Sequence, residues 1–176
     1  MESDQAAAGE GFEGGVARAV FNEMRISFDI DETLVCRREG VPTESGWGAS
    51  AARYFFDDPL RLGTRRLFKK LRQLGCDVWI YTTSLRTEQR TRTWLWLHDL
   101  AIDGYVNATV HNKTAHSIRT SPAPSKYPPT FGIELHVDDL EGVRMEGERH
   151  GFHVLVVRPD DLDWAKKVLD AVHEHR

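Results

Sequence analysis

The sequence predicts an α/β fold in which a parallel β-sheet is flanked by helices. Short apolar runs, typical of buried strands, alternate along the chain with segments of helical period, which is the pattern of such a sheet. With 176 residues, 40% of them hydrophobic, the chain is long enough for one domain with a substantial core and too short for two ordinary domains. We therefore expect a flexible, polar tail at residues 1–15 and a single domain at residues 16–176.

Five apolar runs are predicted strands, and they span residues 25–30, 77–81, 105–110, 133–137 and 152–157. A helix is predicted over residues 61–74, because Leu67 and Leu71 share one stripe, and Gly75 ends it in a suitable C-terminal position. A second helix is predicted over residues 87–98, with a cap supplied by a hydroxyl at positions 82–84. The last helix is expected to begin at Asp160 or Asp161.

Two connections are unusual in length or composition. Residues 37–58 link the first strand to the first helix, and they exceed the usual length of such a connection, which indicates a functional segment. Residues 117–130 contain four prolines, so we expect a loop there rather than a helix or strand.

Composition excludes several classes of protein. The net charge of −4 argues against a general nucleic-acid binder, which is normally basic. No apolar run is long enough to span a membrane, and the first fifteen residues lack the apolar segment of a secretory signal. Cys36 and Cys76 have no metal-type or redox spacing, so a location in the reducing cytoplasm is expected.

Acidic side chains follow two of the predicted strands. Asp29 and Asp31 come directly after the first strand's apolar residues, and because side chains i and i+2 of a strand point to the same side, both carboxylates are expected to project together. Asp138 and Asp139 follow the fourth strand. Carboxylates this close repel each other unless a cation compensates them, and oxygen ligands suit a hard divalent cation.

A hydroxyl and an ammonium group are expected at the same edge. Thr82 ends the second strand, and Lys126 lies in the proline-rich loop. The carboxyl ends of parallel strands meet at one edge of the sheet, where open α/β folds bind their ligands. The sequence therefore predicts that these groups converge with the two acidic pairs.

In this order along the chain, the four motifs resemble those of the haloacid dehalogenase superfamily of phosphohydrolases. They are a strand with Asp-x-Asp-x-Thr at 29–33, a strand ending on Thr82, then Lys126, and a strand followed by two aspartates. The resemblance covers about residues 25–157 and implies a three-layer Rossmann-like sheet. Members often insert a cap domain between motifs, but neither gap is long enough here for a large cap. Residues 37–58 are expected to form only a small flap beside an open site.

The resemblance implies a Mg²⁺-dependent phosphatase that cleaves a phosphate monoester. Asp29 would be the nucleophile that forms an aspartyl-phosphate. Asp31 would protonate the leaving oxygen and then activate water, with its backbone carbonyl helping to bind the metal. Thr82 would hold phosphoryl oxygens, and Lys126 would offset the negative charge of nucleophile and phosphate.

The resemblance also implies a metal site. It is formed by Asp29, Asp31 and the acidic pair that follows the fourth strand. Asp139 would be the metal ligand of that pair, and Asp138 would orient the site from beside it. Within the superfamily, an aspartate at the position of Asp31 favours phosphate-ester chemistry.

Several assignments leave an alternative open. Lys113 could supply the charge assigned to Lys126, and Thr83 could replace Thr82 if the strand ends one residue later. Arg86 either reaches a phosphate or faces solvent, and His136 is expected to be a packed histidine rather than a base. The chain could also be a non-catalytic binding or regulatory module, or it could transfer the phosphoryl group to an acceptor other than water. The substrate (small molecule, phosphoprotein or nucleic-acid end) and the oligomeric state are left open.

Overall fold

A computed structural model describes residues 24–115 and 123–176, which contain one sheet of five parallel strands. In sequence order the strands are β1 (Arg25–Phe28), β2 (Asp77–Tyr81), β3 (Gly104–Val106), β4 (Leu135–Asp138) and β5 (His153–Val156). Their order across the sheet is β3-β2-β1-β4-β5, and every neighbouring pair is parallel. The predicted fold class is confirmed. The predicted tail and part of the proline-rich loop lie outside the described residues.

Six α-helices and one short 3₁₀ helix occur in the described part of the chain. The α-helices are α1 (Trp47–Phe56), α2 (Thr64–Gln73), α3 (Glu88–Leu97), α4 (Ala108–Ala115), α5 (Glu141–His150) and α6 (Trp164–Glu174). The 3₁₀ helix is Pro128–Phe131, where two consecutive prolines supply the first turn. None of these described helices has the length and apolar character needed to cross a lipid bilayer.

The central strand β1 is buried on both faces, as expected for a parallel sheet covered by helices. Ile26 and Phe28 belong to the main apolar cluster, into which α2 and α6 also bury residues such as Leu71 and Val168. A smaller cluster is formed by Tyr81, Val106 and Ile133 with Trp79, Val110 and Phe131 packed against it. Ser27 lies between the two apolar residues of β1, and its polar side chain is also fully buried.

The second strand has the predicted bounds, but the prediction for the third is wrong beyond Val106. Asn107 ends β3 because its side-chain Oδ1 accepts a hydrogen bond from the backbone N–H of Val110 at 3.0 Å. This contact caps a helix, so residues 108–110 begin α4 instead of extending the strand. Local capping therefore overrides the apolar pattern there.

The sequence analysis predicted none of the three helices α1, α4 and α5. Residues 37–58 were expected to be a loop and flap, yet they contain α1, whose aromatic residues Tyr54 and Phe55 are 84% and 69% exposed. Helix α5 was not predicted at all. It buries only Val143 and Gly147, so the sequence lacks the apolar stripe that identifies an amphipathic helix.

The helix ends were predicted with mixed success. Gly75 follows α2 with a φ of 72°, as expected of a residue that ends a helix. Helix α3 is capped by Thr87, whose Oγ1 accepts from Arg90 N at 3.3 Å, and not by the hydroxyls at 82–84. The expected cap of α6 by Asp160 or Asp161 is also wrong, because α6 begins after Asp163. The Asp161 carboxylate instead accepts from the Asp163 N–H at 2.9 Å in the preceding turn.

A close backbone approach holds α1 against α3. A Cβ added at Gly48 would lie 1.9 Å from the carbonyl oxygen of Leu97, whereas one added at Gly142 would meet nothing within 4 Å. Both glycines are the second residue of their helix. We expect Gly48→Ala to lower the free energy of unfolding by about 1–3 kcal/mol through overpacking. The matched variant Gly142→Ala should be neutral or stabilising by up to about 1 kcal/mol through helix propensity. Urea denaturation of both variants tests this, and equal effects would contradict it.

The buried histidine His98 makes the fold sensitive to acid. Its ring packs against Trp94 at a centroid distance of 5.7 Å, and neither ring nitrogen has a hydrogen-bond partner in the described residues. Burial, together with the charge of Arg65, lowers the pKa of His98 from 6.5 to about 4. Above pH 6.5 the histidine is neutral in the folded and unfolded states. As the pH falls from 6.5 towards 4, the unfolded state binds the proton first and stability is lost.

We therefore expect His98→Leu to remove an acid-induced loss of at most about 3 kcal/mol, the equivalent of the whole pKa shift. The measurement is the free energy of unfolding in urea at several pH values for both proteins. The difference measured at pH 8 reports packing only and serves as the reference. Parallel stability curves from pH 8 to pH 4 would show that His98 does not titrate this way.

Candidate active site

The segment that follows β1 is a compact turn held by backbone hydrogen bonds. Asp29 donates its N–H to Val137 O at 2.9 Å, which ties the end of β1 to β4. The carbonyl of Ile30 accepts from Val35 N at 2.8 Å, and Glu32 has a φ of 56°, a left-handed conformation that costs energy for a residue with a side chain. The turn therefore fixes Asp29 and Asp31 at the carboxyl edge of the sheet.

Lys126 joins the carboxylates of two strands. Its ammonium Nζ lies 2.9 Å from Asp29 Oδ1 and 2.5 Å from Asp138 Oδ2, and all three side chains are nearly or fully buried. Burial by itself would lower the pKa of Lys126, but the charges of Asp29 and Asp138 outweigh it and raise the pKa. The lysine is therefore a buried cation between two anions.

The neighbours of Lys126 explain how a loop residue reaches this position. Tyr127 donates its N–H to Tyr81 Oη on β2 at 2.8 Å. Ser125 donates its N–H and its hydroxyl to the Glu146 carboxylate on α5, at 2.9 and 2.7 Å. The loop is thus anchored on both sides of the lysine.

A buried polar chain runs behind the lysine. His136 Nε2 lies 3.0 Å from Asp138 Oδ2, and its Nδ1 lies 2.8 Å from Ser27 Oγ. Burial and the charge of Lys126 lower the pKa of His136, so the ring is neutral. A carboxylate only accepts, so we assign the proton to Nε2, and Nδ1 then accepts from the Ser27 hydroxyl. The sequence analysis correctly treated His136 as packed but missed its partner Ser27.

Both oxygens of Asp138 are occupied within the protein. Oδ2 contacts Lys126 and His136, and Oδ1 accepts from Leu140 N at 2.9 Å. Burial would raise the pKa of Asp138, but the hydrogen bond from His136 and the charge of Lys126 lower it below its usual range. This residue is therefore placed to hold the lysine rather than to face a ligand.

Negative charge exceeds positive charge at this edge. Burial is the main cause that raises the pKa of Asp29, with a further increase from Asp138. Burial also raises the pKa of Asp139 to about 6, assisted by the charges of Asp138 and Asp29. Three carboxylates share one ammonium, so a single positive charge compensates only part of the negative charge at this edge.

A divalent cation fits this donor set. Asp29 Oδ1 is buried, and within residues 24–115 and 123–176 no group donates a hydrogen bond of good geometry to it, despite its ion pair with Lys126, so it keeps capacity for a ligand. In the described residues, no three side chains of His, Cys, Asp or Glu are arranged to enclose a metal. Mg²⁺ does not need such a cage, because it is commonly held by one or two carboxylates and retains several waters. Asp29 and Asp139 are the side chains available for it.

Asp31 lies in a different environment from Asp29. Arg86 forms two contacts with it, Nη1 to Oδ2 at 2.5 Å and Nη2 to Oδ1 at 2.8 Å, and Arg37 approaches Oδ1 at 3.4 Å. These hydrogen bonds, chiefly those of Arg86, lower the pKa of Asp31 despite its partial burial. Arg86 therefore neither faces solvent freely nor lies open for a phosphate, and Asp31 is ionised in this arrangement.

Asp58 is the site residue that the sequence analysis did not identify. It is buried, and its carboxylate contacts the guanidinium groups of Arg37, Arg86 and Arg90. Its backbone carbonyl accepts from Trp94 Nε1 at 2.8 Å. An acidic residue at the end of a long segment gives no periodic signal, and its partners Arg37, Arg86 and Arg90 lie 21 to 32 residues away in the sequence, so no local pattern indicated them.

The other sequence candidates lie at different depths. Thr82 is buried at the end of β2, and its Oγ1 accepts from Ser84 N at 3.2 Å, which leaves its hydroxyl proton for another acceptor. Thr83 is exposed. Lys113 is an exposed residue on α4, whereas Lys126 contacts Asp29 directly. Burial raises the pKa of the Cys36 thiol to about 11, so this cysteine is not a reactive thiolate at neutral pH.

Comparison with known proteins gives similarity to a few solved structures. No protein-family model and no curated protein matches the sequence. The HAD domain of the effector protein Lem4 from Legionella pneumophila has 13% sequence identity and a TM-score of 0.49, over 86% of this chain and 94% of that chain. Its inactive mutant has 12% identity and a TM-score of 0.49, over 87% and 98%. A chain of the Pnkp1/Rnl/Hen1 complex has 14% identity and a TM-score of 0.47, over 78% and 47%. Function is therefore inferred from the residues of the site.

Removal of the buried ammonium should destabilise the fold. We expect Lys126→Met to cost about 3–5 kcal/mol of unfolding free energy, because it leaves two buried carboxylates uncompensated. The matched control is Lys113→Met, which should change stability by no more than about 0.5 kcal/mol since Lys113 is exposed. Urea denaturation at pH 7 measures both.

A double variant separates charge from packing. Adding Asp29→Asn to Lys126→Met removes one of the uncompensated charges, so the double variant should be more stable than the sum of the single effects predicts. Additive losses, or equal losses at positions 113 and 126, would contradict the electrostatic role of Lys126.

Proposed function

We propose that this protein is a Mg²⁺-dependent phosphohydrolase that cleaves a phosphate monoester through an aspartyl-phosphate on Asp29. The observation that supports the proposal is the position of Asp29 at the carboxyl edge of the sheet, 2.9 Å from the buried ammonium of Lys126. A carboxylate beside a fixed cation can meet a phosphate dianion that it would otherwise repel. This combination suits phosphoryl transfer better than a purely structural ion pair at the same edge.

In the first step, a carboxylate oxygen of Asp29 attacks phosphorus and the bond from phosphorus to the ester oxygen breaks. Lys126 keeps Asp29 oriented and offsets the charge that gathers on the phosphoryl oxygens. The free hydroxyl proton of Thr82 is suited to donate to one of those oxygens. The product is an acyl phosphate on Asp29 and an alcohol that needs one proton.

Asp31 is the candidate for that proton. A carboxylic acid at this position donates a proton to the leaving oxygen, and the resulting carboxylate then removes a proton from water as water attacks phosphorus. The acyl phosphate breaks, inorganic phosphate leaves, and Asp29 is regenerated. In the structure Asp31 is ionised and bound by Arg86, so this role requires that the guanidinium move away from at least one carboxylate oxygen and that this oxygen take up a proton from solvent before the first step.

Asp29, Asp139 and the backbone carbonyl of Asp31 are the groups that would hold Mg²⁺. The bound ion would supply a Lewis acid that polarises a phosphoryl oxygen and compensates the excess carboxylate charge. Asp138 supports the site by holding Lys126, since both of its carboxylate oxygens contact internal partners. The free, buried thiols of Cys36 and Cys76 suit a location in the cytoplasm.

One observation favours a second function. The paired contacts between Arg86 and Asp31 are what a non-catalytic module would keep if the acid–base role were lost. Turnover distinguishes this alternative from the proposal. Transfer to an acceptor other than water would share the first step, and product analysis with added alcohols separates it from hydrolysis.

Loss of the nucleophile should abolish turnover without unfolding the protein. We expect Asp29→Asn to lower kcat for p-nitrophenyl phosphate with Mg²⁺ by at least about 10³-fold. Circular dichroism should show an unchanged fold, because the amide has nearly the shape of the carboxylate. Asp170→Asn, at an exposed position on α6, is the matched control and should keep wild-type activity. Near-normal turnover in the Asp29 variant would reject the mechanism.

Metal binding should depend on Asp139, which follows β4. We expect chelation by EDTA to abolish activity and added Mg²⁺ to restore it. Asp139→Asn should weaken Mg²⁺ binding by at least about 10-fold, since it removes a ligand and its charge. Titration of Mg²⁺ by calorimetry measures the affinity independently of turnover. Unchanged affinity would place the ion elsewhere.

A further inference from the structure

Three arginines form a cluster at the rim of the candidate site, which we term the arginine rim (Arg37, Arg86 and Arg90). Arg86 contacts both oxygens of Asp31 and also lies 3.5 Å from Asp58 Oδ1. Arg37 contacts Asp31 and Asp58, and Arg90 Nη2 lies 3.4 Å from Asp58 Oδ2. The three arginines of the rim and the two carboxylates that they contact, Asp31 and Asp58, together carry a net charge of +1.

The two carboxylates of the rim differ in depth. The Asp58 side chain is only 5% exposed, whereas the Asp31 side chain is 43% exposed. A buried charge cannot give up its partners cheaply, while a half-exposed one can exchange a partner for water or for a ligand. Asp58 is therefore the fixed anchor of the rim, and the contact between Arg86 and Asp31 is the exchangeable one.

Arg86 is held in place by its backbone as well as by Asp58. Its carbonyl oxygen accepts from Tyr105 Oη at 2.6 Å and from Asn107 Nδ2 at 3.0 Å. Arg90 is held through its side chain. Its guanidinium donates to Phe56 O at 3.1 Å and lies 4.9 Å from the centre of the Phe56 ring. These contacts keep the guanidinium groups near the site whatever Asp31 does.

We propose that the arginine rim binds a second anionic group of the substrate, so that the substrate is a phosphate monoester whose alcohol part carries a carboxylate or another phosphate. This inference rests on the proposed function. Because Asp31 is assigned to the leaving oxygen, the arginines bound to it lie on the leaving-group side of the phosphate. A second anion there replaces Asp31 as a partner of Arg86, and the planar guanidinium fork matches a carboxylate or a phosphate.

This exchange couples recognition to catalysis. A substrate with one anionic group leaves Arg86 on Asp31, while a substrate with two draws the guanidinium away and leaves the Asp31 carboxyl to serve the leaving oxygen. The half-exposed guanidinium groups of Arg37 and Arg90 provide further donors for the incoming group. The rim is thus a specificity determinant that also sets free an acid–base residue.

The kinetic test uses substrates of one skeleton. Glycerol 2-phosphate has no second anion, 2-phosphoglycerate carries a carboxylate, and 2,3-bisphosphoglycerate carries that carboxylate and another phosphate. We expect the wild-type protein to prefer the second-anion substrates. Arg86→Gln should reduce the ratio of kcat/KM between 2-phosphoglycerate and glycerol 2-phosphate by about 10- to 100-fold, the usual consequence of losing a bidentate charged contact. Arg86→Lys, which keeps the charge without the fork, should give an intermediate ratio.

Arg92→Gln is the matched control, since Arg92 lies on α3, as Arg90 does, but contacts Glu88 and the carbonyl of Ile102 instead of the rim. It should leave the ratio at the wild-type value. An unchanged ratio in Arg86→Gln would overturn the proposal while leaving hydrolysis itself intact. A phosphoserine peptide with aspartate or alanine neighbours tells whether the second anion can be supplied by a protein.

A measurement of ligand affinity tests the arginine rim independently of turnover. In the Asp29→Asn background, calorimetry should show 2-phosphoglycerate binding at least about 10-fold more tightly than glycerol 2-phosphate, and adding Arg86→Gln should remove that difference. If the wild-type protein hydrolyses no phosphoester but this preference is present, the proposed hydrolysis fails and the rim stands. Equal binding of both ligands would overturn the rim, whether or not hydrolysis is observed.

Discussion

The contact of Lys126 with Asp29 and Asp138 is the interaction on which the rest of the site depends. It joins the ends of two neighbouring strands through one buried ammonium, whose charge offsets part of the charge of both carboxylates. The loop that carries the lysine is anchored to β2 and to α5, so three parts of the fold meet at a single charge. Packing and electrostatics are therefore satisfied together at the carboxyl edge of the sheet.

Two layers of charge surround this edge. The inner layer has three carboxylates, those of Asp29, Asp138 and Asp139, for one ammonium, which favours a divalent cation. The outer layer is the arginine rim, where three guanidinium groups meet two carboxylates. In the proposed function, a substrate anion would meet the net positive charge of the outer layer and an inner layer made receptive by a bound cation. This arrangement would let an acidic protein present a site for an anion.

Support behind the site is polar but uncharged. His136 is neutral and connects Asp138 to Ser27 through hydrogen bonds inside the sheet. A neutral chain orients the Asp138 carboxylate without adding charge that would compete with Lys126 for it. Satisfied buried networks of this kind restrict side chains to one arrangement, which the proposed phosphoryl transfer would require.

The sequence by itself determined the parallel α/β class, the five strands and the convergence of Asp29 and Lys126, because strand periodicity and residues at strand ends are local signals. It did not reveal α1, which packs by a close approach at Gly48, α4, which is capped by Asn107, or α5, which buries little apolar surface. Only the tertiary structure showed that Asp138 is saturated by internal partners and that Asp31 is paired with Arg86. Both facts depend on side chains far apart in sequence, whose pairing is decided by how the helices and loops pack around the sheet.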